Sequence, residues 1–99
     1  MIIIPKRVII AGKEYKIKLD KNAGGGCGST ANRVITIGTK YGNFIMDTLM
    51  HEILELILVE RNVRYSLDDD GSEYKFVFDH KEFCSIVGDL IFAIKGIKF

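Results

Sequence analysis

Cysteine, histidine and proline are all scarce in this chain of 99 residues, which holds two, two and one of them. Cys27 and Cys84 are too few for a disulfide framework, which predicts reduced thiols and a cytosolic protein. Charge of one sign is lacking as well: 14 Lys and Arg face 13 Asp and Glu, for a net charge of +1. That balance announces no nucleic-acid face, and the local cluster of Lys13, Lys16, Lys18 and Lys21 reads as the solvated side of a strand. Long apolar runs are missing too. Met1-Ile2-Ile3-Ile4 stops at Pro5-Lys6-Arg7, too short for the apolar region of a signal peptide, and no stretch approaches a membrane span. The length leaves room for one core, so residues 1–99 read as a single domain. With 47% hydrophobic residues against 27% charged, that domain is folded and globular.

The order of elements follows from periodicity. Ile2 to Ile10 is an extended β-branched run bent by Pro5, and Ala11-Gly12 is a turn. Glu14 to Leu19 alternates, with Tyr15, Ile17 and Leu19 inward and Lys16 and Lys18 outward, so the two runs form a hairpin. Asp20 to Ser29 is glycine-rich. It carries neither a Walker pattern nor a dinucleotide fingerprint, which argues against nucleotide binding. It reads as a mobile loop or, alternatively, as a glycine strand that lets another backbone come close. Arg33 to Gly38 is a short strand. Asn43 to Glu60 is a helix capped by Asn43, buried on most of its circumference by the apolar run Ile53 to Val59. Val63 to Leu67 and Tyr74 to Phe78 form a second hairpin around Asp68-Asp69-Asp70-Gly71-Ser72, an acidic turn without the ligand spacing of a calcium loop. Asp79 and Glu82 make a capping box for a last helix whose Phe83, Ile86, Val87, Leu90, Ile91 and Ile94 should pack one broad face on the core. The sum is an α+β domain: a small antiparallel sheet on a central helix, then a hairpin and a C-terminal helix.

The central helix carries the polar exceptions. His51 and Glu55 lie one turn apart on one face, with Glu52 beside them, on an otherwise apolar element. A buried carboxylate needs a cation, a hydrogen bond or water, and a metal shared with His51 is one answer. His51-Glu52-x-x-Glu55 resembles the zincin signature H-E-x-x-H, and the setting Thr48-Leu-Met-His-Glu-Ile-Leu-Glu resembles small phage and prophage zincin-like proteins. That resemblance implies strands before the helix, a second helix after it, and a histidine after an alternating aromatic strand, which His80 matches. Glu55 stands where the second histidine belongs, so metal binding is implied more firmly than proteolysis.

The chain's only other histidine, His80, would complete a His51, Glu55 and His80 ligand set for Zn2+ if the two helices pack together, with Fe2+ as the second choice. Glu52 would then be the general base of a peptidase. Arg64, Tyr65 and Tyr74 are oxyanion candidates by proximity along the chain alone. The implied partner is a peptide or protein chain pairing along Gly24 to Thr30, the counterpart of the zincin edge strand. The competing reading is a non-enzymatic binding or scaffold module, with no metal or with a closed structural site of His51, Glu55, His80 and Cys84. In its plainer reading Cys84 is a buried, inert thiol. Cys27 is a more distant ligand candidate from the glycine segment.

Overall fold

A computed structural model of the chain describes residues 5–42, 45–67 and 73–97. The part of the first strand before Pro5, the Asn43 cap and the acidic turn at 68–72 lie outside the described residues. The elements are β1 (Arg7–Ile10), β2 (Lys13–Asp20), β3 (Gly26–Ser29), β4 (Val34–Gly38), α1 (Ile45–Glu60), β5 (Arg64–Ser66), β6 (Tyr74–Phe76) and α2 (His80–Lys95). Two helices, a four-stranded sheet and a two-stranded hairpin make the α+β domain. No described helix is long and apolar enough to cross a membrane.

β1 and β2 form the expected antiparallel hairpin. Ala11 and Gly12 both take positive φ, 52° and 76°, the handedness that matches the twist of paired strands. Beyond it the sheet departs from expectation. Its order is β1-β2-β4-β3, with β4 parallel to β2 and antiparallel to β3. The sheet is therefore mixed, not wholly antiparallel. After β2 the chain steps over one strand position, lays down β3 at the edge, and returns β4 into the gap. The β-branched run Val34-Ile35-Thr36-Ile37 suits that central place, and Ile35 and Ile37 are fully buried.

The core is built from Val8, Ile10, Tyr15, Ile35 and Ile37 of the sheet against Leu49, Ile53, Leu56 and Ile57 of α1. Burial fades along β2: Tyr15 is fully buried, but Leu19, expected inward, is 43% exposed. The helices rest on β1, β3 and β4, and the far end of β2 runs past them. A larger correction concerns α2. Only Ile86 and Ala93 are buried on it, while Phe83, Val87, Ile91 and Ile94 are exposed. The flank beside its buried strip is taken by Arg61, which donates to Asp89 at 2.6 Å and to Glu82 at 2.9 Å, so α2 docks through a narrow contact. The capping box holds, with the Asp79 carboxylate accepting from the Glu82 N–H at 2.8 Å.

The Tyr15 hydroxyl reaches through the core to donate to Glu60 at 3.1 Å, beside Lys13 at 3.1 Å from the same carboxylate. Burial, then the bond to Glu60, pushes the phenol up to about 12. A phenol that holds its proton more tightly when folded stabilises the fold fully below its ordinary value of 10.0, and that stability is lost as pH rises toward about 12. Tyr15→Phe is therefore expected to cost about 1 kcal/mol at neutral pH. It should also flatten the loss of stability between pH 10 and 12, as urea titrations at pH 7 and pH 11 would reveal. Parallel alkaline limbs in the two proteins would refute this assignment.

Candidate metal centre

The glycine-rich stretch decides the shape of the site. Residues 21–25 are turn, bend and irregular chain, while the strand reading holds for Gly26–Ser29, where β3 pairs with β4 and forms the sheet edge. Thr48, Glu52 and Leu56, four residues apart, form one ridge of α1 beneath it. A Cβ on Gly26 would stand 2.6 Å from Thr48 Cγ2 and 3.1 Å from Glu52 Cγ, and one on Gly28 would stand 2.9 Å from Leu56. The backbone that these glycines let in close is thus the strand's own, laid directly on the helix. The Gly25 carbonyl accepts from the Gly38 N–H, and the alternation of an antiparallel ladder then turns the N–H and C=O of Gly26 and Gly28 toward the outer edge.

The strand closes over Glu52, which is 8% exposed, whereas the neighbouring His51 side chain is 70% exposed. Of the three polar residues on this otherwise apolar helix, Glu52 is buried and His51 is open to water. His51 Nε2 lies 3.1 Å from Glu55 Oε2 and 3.7 Å from Glu52 Oε2. One ligand atom from each of His51, Glu52 and Glu55 falls within 4.8 Å of the others, so this group could hold a metal ion. Two ligand atoms each about 2.0–2.2 Å from a tetrahedral zinc sit roughly 3.3–3.6 Å apart. The two histidine–carboxylate distances lie close to that spacing, so His51 could share an ion with either carboxylate. Burial, and then the neighbouring Glu55 carboxylate, raise the Glu52 carboxyl above its ordinary value, while His51 opposes the shift.

Glu55 is gripped from its other side. The Tyr74 hydroxyl donates to Glu55 Oε1 at 2.5 Å, and the Arg64 guanidinium lies 3.8 Å from that oxygen and 4.2 Å above the Tyr74 ring. Holding the anionic acceptor raises the Tyr74 phenol above its ordinary value. Such outer contacts orient a ligand carboxylate. β5 and β6 thereby form the wall opposite β3, and between them lies a cleft of about 610 Å³ with His51, Glu52 and Glu55 on its floor. Cys27 and Thr30 line its strand side.

Of the sequence-derived site residues, His51, Glu52 and Glu55 come together and His80 does not join them. The His80 ring lies 3.8 Å from Cys84 Sγ and stacks on Phe83, because α2 docks through its Ile86 and Ala93 strip and leaves the His80 side exposed. The four-ligand site with Cys84 falls for the same reason, and Cys84 is exposed, not buried. Among the oxyanion candidates, Arg64 and Tyr74 reach the cleft and Tyr65 does not line it. What placed Tyr74 was the register of β5 with β6, which pairs it with Ser66 across from α1; the alternation of Tyr74, Phe76 and Phe78 was the visible trace. No protein-family model, curated protein or solved structure matches this chain.

Proposed function

We propose that this chain is a zincin-like metal-binding domain and a zinc-dependent peptidase, in which His51 and Glu55 are the two protein ligands, water takes the position that His80 does not fill, and Glu52 is the general base. The convergence of an imidazole and two carboxylates on the floor of a cleft, directly beneath an open sheet edge, carries this reading. A zinc ion bound there would supply Lewis-acid polarisation and an acidified water. Glu52, next to that position and shielded by β3, accepts a proton and returns it to the departing amine. Tyr74 and Arg64 hold the Glu55 carboxylate in place from behind. The outward N–H and C=O groups of Gly26 and Gly28 pair an extended peptide, laying it over the cleft. Iron(II) is the second choice, since carboxylate and imidazole donors suit it also.

The second reading comes from the closeness of Glu52 to the other two groups. If Glu52 is itself a ligand, the site has no free base and the domain is a metal-binding module without hydrolytic activity. Glu52→Gln separates the two. For the enzyme, the variant should keep its zinc by elemental analysis and lose peptide hydrolysis by about 100-fold or more. Loss of zinc from that variant establishes the module instead, and wild-type protein that takes up no zinc removes both readings.

A further inference from the structure

The hairpin β5–β6 is a two-stranded sheet with every strand residue exposed, a unit that is marginal in water on its own. Its aromatic face continues onto α2. Tyr74 meets Phe76 edge to face at 5.5 Å, and Phe78 stacks on Phe83 at 6.3 Å. From Phe83, the residues Val87, Ile91 and Ile94 repeat at helical spacing along the flank of α2 that the core leaves uncovered. Phe76, Phe78, Phe83, Val87, Ile91 and Ile94 are each between 36% and 48% exposed. A contiguous apolar band of this kind is often a functional contact surface.

We infer that this band is the interface of a homodimer, in which a second copy of the chain packs its own α2 and hairpin against the first. The area agrees. Six side chains at about two-fifths exposure, with roughly 150–200 Å² each, offer about 450 Å² of apolar surface. A standard interface of about 800 Å² per partner is roughly 56–65% apolar, which asks for about 450–520 Å². The helix dipoles agree also. A two-fold axis perpendicular to α2 sets the helix antiparallel to its copy, which aligns the two dipoles favourably. A net charge of +1 imposes no repulsion between copies. The dimer would cover the hairpin that forms one wall of the metal cleft while leaving the edge of β3 free.

Sedimentation velocity of the wild-type chain from about 1 to 300 μM is expected to show a monomer–dimer equilibrium. Ile91→Glu should raise its dissociation constant about 100-fold or more, because the two-fold buries the unpaired charge twice. Val87→Lys should act alike, and Met46→Glu on the exposed side of α1 should leave the dimer intact, with circular dichroism reporting the fold of each. Amide exchange of α2 at both ends of the concentration range needs no substitution and should show protection only when concentrated. A wild type that stays monomeric throughout overturns the inference and leaves the band to a different protein. So does a dimer indifferent to both α2 substitutions, or an α2 whose exchange ignores concentration.

Discussion

His51→Ala is expected to lower zinc affinity far beyond the roughly 10–100-fold typical of losing an outer-shell contact, with the fold left intact. The side chain is mostly exposed and takes no part in the core, so its removal deletes the proposed ligand and little else. Glu55→Gln should also weaken binding strongly, since an amide is a neutral and poorer ligand. The loss of stability should be small, because Tyr74 can still donate to the amide oxygen. Glu55→His should retain zinc, as the spacing from His51 is unchanged and imidazole ligates well. Tyr74→Phe, which frees the carboxylate on its far side, is expected to cost about 10–100-fold in affinity. His80→Ala decides between the arrangement read from sequence and the one the fold builds. With His80 turned toward Cys84 and Phe83, its loss should leave zinc affinity where it was. Isothermal titration with zinc across the five variants tests the set, and an affinity that falls with His80 but not with Glu55 would reverse the ligand assignment.

Gly38→Ala is expected to destabilise the protein by about 3–5 kcal/mol, a large share of the roughly 5–15 kcal/mol available to a domain of this kind. A Cβ there would stand 2.3 Å from the Ala23 carbonyl oxygen and 2.8 Å from Gly24 C, all backbone atoms that cannot rotate away. That carbonyl accepts from the Lys40 N–H at 3.1 Å, and the Gly38 N–H is itself bound to Gly25 at 2.6 Å. Relieving the clash means lifting the chain that carries β3, and with it the cover over Glu52. Both the melting temperature and zinc uptake should therefore fall. Gly88→Ala, on the exposed side of α2 with nothing within 4 Å of the added methyl, should instead stabilise the helix by about 0.5–1 kcal/mol. Thermal melts of the two alanine variants give opposite shifts on this account. Equal shifts would contradict the close packing of the 23–25 segment on β4.

Local chemistry made several features legible without tertiary structure. The turn at Ala11-Gly12, the Asp79 capping box, and both helices are properties of short windows, where propensity, spacing and capping act within a few residues. The convergence of His51, Glu52 and Glu55 was legible for the same reason, because one helical turn sets their separation. What the chain could not disclose locally was placement between distant segments. The parallel pairing of β4 with β2 depends on where the glycine segment lands, and that depends on the close fit of Gly26 and Gly28 to the ridge of Thr48, Glu52 and Leu56. A run of glycines carries no periodicity to reveal such a fit. His80 was assigned to the site of His51 and Glu55 by its identity alone, yet where it points is set by the rotation of α2 about its own axis. That rotation answers to the Ile86 and Ala93 strip and to Arg61 reaching Glu82 and Asp89, contacts between elements far apart in sequence. The same rotation left an apolar flank outside a core too small to cover it, which helical spacing alone had assigned to the interior.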